Sequence, residues 1–178
     1  FIPMKYLNEM PDDMLLDTPY RGEVRRFEYD TRTYDEGDDH PLHKGAWVYL
    51  PYGYDAERQY NVLYLMHGAF VNEDWWFKTF PETATILDNM IAKKICEPCI
   101  IVAPTYYRGE EKDKEAEYMA EHFCHELRRD LIPAVEKTFS TFAGGDVSEE
   151  NLVKTREHRA FAGLSLGSMT TYRAAIYH

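Results

Sequence analysis

The chain has 178 residues, with 20 Lys+Arg against 31 Asp+Glu for a net charge of −11, and is 44% apolar and 15% aromatic. That length suits one domain and that apolar content supplies a core, which excludes wholesale disorder. The acidic balance argues against non-specific nucleic-acid binding, which needs Lys and Arg to displace counterions, and no apolar run reaches the roughly 18 residues of a transmembrane helix.

The opening FIPMKYLNEMPDD lacks the basic start and long apolar run of a secretory signal. Residues 1–22 are rich in Pro, Asp and Met without a period, and are expected to form an extended arm. Glu23 to Tyr34 alternates as a strand should, with Arg25, Phe27, Tyr29 and Thr31 on one side. Asp35 to Asp39 reads as a polar turn, and Gly45 to Leu50 as the second strand of a hairpin. Asn61 to Met66 (NVLYLM) is apolar nearly throughout, as a strand covered on both faces would be. A helix is expected from about Glu82 to Lys94, with Ala84, Leu87 and Ile91 at helical spacing. Cys99 to Ala103 (CIIVA) is another buried strand, stopped by Pro104. The charge run Glu110 to Glu117 reads as a solvated loop and helix start. Met119, Phe123, Leu127 and Leu131 then recur every four residues, and Pro133 should bend or restart that helix. Residues 140–157 are polar, contain Gly144-Gly145 and read as a loop. Arg159 to Leu164 (RAFAGL) is a last strand, with helix to the end after Ser165. Apolar strands alternating with amphipathic helices imply an α/β three-layer sandwich: a mainly parallel sheet covered on both faces, with an antiparallel hairpin at its start.

Gly163-Leu164-Ser165-Leu166-Gly167 is a GxSxG motif lying where a strand pattern gives way to a helix pattern, the context the motif requires. The turn is tight enough that small residues must flank the serine. Ser165 is then held in a strained conformation with its hydroxyl exposed at the strand end. The following helix aims free N–H groups at the same place. Acyl transfer also needs donors for the oxyanion of its tetrahedral intermediate. One is the Leu166 N–H, from the residue after the nucleophile. The other is expected from the loop after NVLYLM, at His67-Gly68-Ala69-Phe70, as the Ala69 N–H. Gly68 would let the backbone approach without a side chain in the way.

The stretch YLPYGYDAERQYNVLYLMHGAFVNEDWWF resembles the second-strand to oxyanion-loop segment of the family 1 carbohydrate esterases. These are feruloyl-esterase modules of xylan-degrading enzymes, in the esterase D group of α/β-hydrolases. CIIVAPTYY, ELRRDLIPAVEKTFSTFA and HRAFAGLSLGSMTTY continue the likeness in order, over roughly residues 20–178. The resemblance implies an α/β-hydrolase that needs no metal or organic cofactor, with Ser165 as nucleophile and Ala69 and Leu166 as oxyanion donors. It implies a feruloylated polysaccharide or oligosaccharide as substrate, and an extracellular or periplasmic location. Where the family often has further glycines after HG, this chain has Ala69 and Phe70, so the pocket wall is bulkier.

A hydrolase of this fold orders its triad as Ser, then Asp or Glu, then His. Thirteen residues follow Ser165, with no Asp or Glu among them, and the single histidine, His178, would lie roughly 20 Å away along the helix. His67 sits at the start of the oxyanion loop and reads as structural; His40, His43, His122, His125 and His158 have no supporting context. Residues 23–178, after the arm of residues 1–22, therefore read as the N-terminal part of a catalytic domain. Its acid, base and last strands are expected on another segment or chain, which would also cover the open edge of RAFAGL.

Cys96-Glu97-Pro98-Cys99 is a CxxC that follows a helix and opens a strand, the reverse of the redox arrangement, and no second pair completes a zinc site. His122 and His125 lie three apart on a helix without the intervening glutamate of HExxH, and read as a solvated face. Trp75 and Trp76 follow the oxyanion loop and suit either a substrate-stacking surface or a lid over the core. The leading expectation is hydrolysis of ferulate or a related phenolic ester. The alternatives are removal of acetyl groups from xylan, another esterase D-type hydrolysis, and a degenerate module that only binds carbohydrate or a partner.

Overall fold

The two near-continuous apolar runs lie side by side in the middle of a five-stranded sheet of order β1-β2-β4-β3-β5. The structure, a computed structural model, describes residues 10–37, 39–109 and 115–177. Its strands are β1 (Glu23–Arg32), β2 (Pro41–Leu50), β3 (Asn61–Met66), β4 (Cys99–Ala103) and β5 (Arg159–Gly163). β3 pairs in parallel with β4 and with β5, while β2 pairs antiparallel with both β1 and β4. β2 alone therefore runs against the other four. The hairpin is longer than expected at its second strand, because β1 and β2 stay in register from Glu23↔Leu50 to Arg32↔Pro41. Pro41 is tolerated as the first residue of a strand.

Coverage of both faces explains the apolar runs. Along β3, Val62, Tyr64 and Met66 enter one cluster and Leu63 and Leu65 the other, the period of two that a pleated strand imposes. The first cluster lies beneath α2 (Ala116–Glu126), α3 (Ile132–Thr138) and α5 (Leu166–Tyr177); the second lies beneath α1 (Glu82–Ala92). Met119, Phe123, Leu127 and Leu131 are all buried in the first. The bend expected at Pro133 is a π turn over Leu127–Leu131, just upstream. Pro133 has no N–H to give the carbonyl of Arg129, so the helix widens and resumes as α3 instead of ending.

Two expectations need correction. Residues 140–157 are not a continuous loop but contain α4 (Glu149–Lys154) and a 3₁₀ turn at Arg156–His158. Ser148 caps α4, its side chain accepting the Asn151 N–H, and Glu149 and Glu150 suit the positive end of the helix dipole. The described part of the expected arm is not free of structure either. It makes a 3₁₀ turn at Asp12–Met14, and Asn89 of α1 donates to the carbonyls of Met14 and Leu16 at 3.0 and 2.8 Å. Residues 1–9 of the arm, and 110–114 of the charge run, lie outside the described residues.

The chain leaves β3 toward β4 and returns past β3 to β5. The carboxyl ends of β3 and β5 thus flank the point where the strand order reverses, where open α/β sheets place their ligands. His67-Gly68 leaves one of those ends and Ser165 the other. β5 forms the border of the sheet, and among the described residues its outer side is open.

Candidate active site

The elbow carrying Ser165 is set by its two flanking glycines. β5 ends at Gly163, α5 starts at Leu166, and Ser165 between them has φ +54°. That left-handed conformation costs a non-glycine residue about 1–2 kcal/mol, and leaves the serine exposed at the strand end. A Cβ on Gly163 would overlap the backbone carbonyl of Gly167, and a Cβ on Gly167 would overlap the carbonyl oxygen of His67. Both obstacles are backbone and cannot swing aside. Gly167→Ala is therefore expected to cost about 1–3 kcal/mol, the usual penalty of overpacking. It should also displace Ser165 from the end of β3, and the thermal midpoint should fall. A variant with an unchanged midpoint would show the elbow to be looser than described.

Gly68 brings the β3 loop alongside. A Cβ there would stand 3.4 Å from Ser165 Cβ and 3.3 Å from the Leu164 carbonyl oxygen. Ser165, Leu166, Ala69 and Phe70 line one open cleft of about 850 Å³, together with Tyr118 and Met169. The Leu166 N–H is one of the first donors of α5 and has no acceptor within its own helix. Phe70 is the second non-glycine residue here with positive φ, +67°, and it is 76% exposed. Tyr118 is fixed at the rim by its hydroxyl, which donates to Asp35 Oδ1 at 2.9 Å. Arg108 grips the same carboxylate through both terminal nitrogens.

His67 is fully buried. Its Nδ1 lies 2.6 Å from the Gly68 carbonyl oxygen and its Nε2 2.8 Å from Thr105 Oγ1, so both ring nitrogens are engaged away from the serine hydroxyl. His43 pairs with Asp30 on the exposed hairpin. His122 faces the Tyr118 carbonyl, and His158 stacks on Phe142. None of these lines the cleft; His178 lies outside the described residues.

Trp75 and Trp76 do not line it either. Trp76 packs against the cluster of Tyr49, Phe77 and Ile101 on the α1 face, and Trp75 meets Phe80 edge-on at 4.6 Å. A π turn at Trp75–Thr79 turns the chain onto that face, so Trp76 is a cover for the core and not a cleft surface. Among the described residues, the aromatic rings at the cleft are Phe70 and Tyr118. Tyr118 was unmarked in sequence because it lies 47 positions before Ser165 and only the fold brings the two to one cleft. Cys96 closes the turn after α1 and Cys99 opens β4; burial pushes the Cys99 thiol up to about 11, so it is no ready thiolate.

The family model described as "Putative esterase" matches residues 43–178. Endo-1,4-beta-xylanase Y of Acetivibrio thermocellus is 36% identical over 162 residues, covering 91% of this chain and 14% of that protein. An endo-1,4-beta-xylanase/feruloyl esterase of Xylanibacter ruminicola is 36% identical over 132 residues, covering 71% of this chain and 16% of that protein. Among solved structures, a mutant feruloyl esterase module from Clostridium thermocellum, complexed with sinapinate, superposes with a TM-score of 0.77 at 34% identity. That match covers 92% of this chain and 52% of the module, so this chain spans about half of the solved domain. The sheet order, the elbow at the end of β5 and these matches agree: the chain belongs to this esterase family, a feruloyl-esterase-like group of α/β-hydrolases.

Proposed function

We propose that the full-length protein is a serine carboxylic-ester hydrolase that acts on plant cell-wall polysaccharide outside the cell and releases ferulate or a related phenolic acid. The observation that carries this reading is the exposed Ser165 at φ +54°, sharing one cleft with Ala69 and Leu166. Ser165 Oγ would attack the ester carbonyl while its proton passes to a histidine base. The negative charge gathering on the carbonyl oxygen would be met by the Ala69 and Leu166 N–H groups. Collapse would break the ester C–O bond and return the proton to the sugar hydroxyl. Water would then cleave the acyl-enzyme by the same route in reverse, releasing the acid and free Ser165. The base and its orienting carboxylate would come from the rest of the domain, which would also pair with the open side of β5.

Phe70 and Tyr118 at an 850 Å³ cleft favour a phenolic acyl group over acetyl, because an aromatic ring gains from stacking that a methyl group cannot match. The test gives the full-length protein feruloylated arabinoxylan and acetylated xylan side by side. Ferulate release well above acetate release is expected. Faster acetate release would move the assignment to acetyl xylan esterase. No turnover of either, or of a simple aryl ester, would leave a binding module.

A further inference from the structure

We propose that Thr105, Tyr106 and Tyr107, the three residues after the Pro104 that ends β4, act as a template holding the Ala69 N–H in oxyanion-binding orientation, with His67 as the intermediary. The inference rests on the esterase reading above and assigns positioning residues to it.

The argument begins with one peptide group. The Gly68 carbonyl and the Ala69 N–H belong to the same planar unit, and in a trans peptide they point in opposite directions. Whatever fixes the Gly68 oxygen therefore fixes the Ala69 N–H. Two donors hold that oxygen from the protein side: His67 Nδ1 at 2.6 Å and the Tyr106 hydroxyl at 2.8 Å, both buried. The N–H at the other end of the unit then points away from those two donors, and Ala69 lines the cleft with Ser165.

The hydrogen-bond directions follow from the chemistry of each atom. A carbonyl oxygen only accepts, so His67 carries a proton on Nδ1. In the neutral ring Nε2 is then an acceptor, and the Thr105 hydroxyl 2.8 Å away donates to it. Thr105 Oγ1 in turn accepts the Tyr107 N–H at 3.2 Å. The Tyr107 hydroxyl accepts the Phe70 N–H at 3.1 Å, which secures the loop on the far side of Ala69. Each residue of the triplet thus touches the 67–70 loop through a different atom. The rings of Tyr106 and Tyr107 pack on the imidazole at 4.6 and 5.6 Å between centroids and keep water out. Thr105 itself is anchored from behind, its carbonyl accepting from Lys44 Nζ at 2.8 Å.

The experiment uses the full-length protein with methyl ferulate as substrate and an aryl boronic acid as transition-state analogue. Thr105→Val and Tyr106→Phe each delete one hydroxyl and keep the shape. Each is expected to lower kcat by about tenfold, less than the 10²–10³ for outright loss of an oxyanion donor. KM should stay within about twofold while the boronate Ki rises in step with the fall in kcat. Thr105→Ser, which restores the hydroxyl, should recover most of the loss. Wild-type kcat in both deletion variants would overturn the proposal, as would a fall in kcat that tracks the thermal midpoint with boronate affinity unchanged. The ¹⁵N NMR signals of His67 give a readout that needs no activity: the Nδ1–H tautomer is expected, and an Nε2–H tautomer would overturn the assigned directions. An inactive wild-type protein with the Nδ1–H tautomer would instead refute the esterase reading alone.

Discussion

Ser165→Ala in the full-length protein is expected to lower kcat for an aryl ester by about 10⁶-fold, with KM little changed and the fold intact. The magnitude follows from what is removed. In the mechanism proposed above no acyl-enzyme could form without the hydroxyl, and what would survive is the modest help that binding and the proposed oxyanion donors give to attack by water. The fold should survive because the side chain is exposed, and because the elbow is dictated by Gly163 and Gly167 and not by the serine. Alanine keeps the Cβ and with it the strain of φ +54°. Ser165→Gly separates strain from chemistry. It should be equally inactive yet more stable than Ser165→Ala by about 1 kcal/mol, since glycine adopts this conformation without a Cβ penalty. Turnover, thermal unfolding and labelling by a fluorophosphonate probe together check this. Retained turnover or retained labelling in Ser165→Ala would place the nucleophile elsewhere. A glycine variant no more stable than the alanine variant would show that the elbow carries no strain.

The parts of this site that were legible in sequence are those that local chemistry dictates. A strand pattern, two glycines bracketing a serine and a helix pattern can be satisfied together in few ways, and the structure places Ser165 as that pattern implies. NVLYLM and CIIVA disclosed the central strands because burial on both faces removes polar residues from the sequence itself. What escaped depends on long-range placement or on signals shorter than a period. α4 has six residues and no buried side chain, so it has no apolar period, and its marks are the Ser148 cap and the acidic first turn of Glu149 and Glu150. Trp75 and Trp76 follow the 67–70 loop closely, yet one turn of chain sends Trp76 to the α1 face of the sheet. Proximity in sequence could not decide there between a stacking surface and a cover for the core, while Tyr118, 47 positions before Ser165, reaches its cleft. The tyrosines of the segment after β4 could have been noticed as aromatic residues at a strand's carboxyl end. Their hydrogen bonds to the 67–70 loop arise only because β3 and β4 are neighbours.

The buried pair Lys44–Glu126 should show the largest stability effect in the chain. Lys44 Nζ and the Glu126 carboxylate are 2.8 Å apart, with side chains 4% and 6% exposed. The Tyr29 hydroxyl donates to Glu126 Oε1 at 2.5 Å. Burial, partly offset by Lys44, holds the Glu126 carboxyl above its ordinary 4.5; burial, partly offset by Glu126, holds the Lys44 ammonium below its ordinary 10.5. Both directions say that desolvation outweighs attraction, so the pair adds little over an apolar pair, yet either charge left alone is costly. Glu126→Ala and Lys44→Met should each cost about 3–5 kcal/mol near neutral pH, and the double variant Lys44→Met/Glu126→Leu much less than their sum. The two single variants should respond to pH in opposite senses. In Lys44→Met the folded state favours protonated Glu126, whose folded pKa lies above the unfolded one. That stabilisation is present below 4.5 and is lost as pH rises through the folded value, so the penalty grows with pH. In Glu126→Ala the folded state favours neutral Lys44, so the penalty shrinks as pH rises toward 10.5. Denaturant unfolding of the full-length protein at pH 5, 7 and 9 reads both trends. A cost below about 1 kcal/mol for either single variant, or parallel pH trends, would mean that water reaches the pair. Because Lys44 also holds the Thr105 carbonyl, Lys44→Met should slow the proposed hydrolysis beyond what its lost stability explains, as the support behind the 67–70 loop is loosened from the same atom.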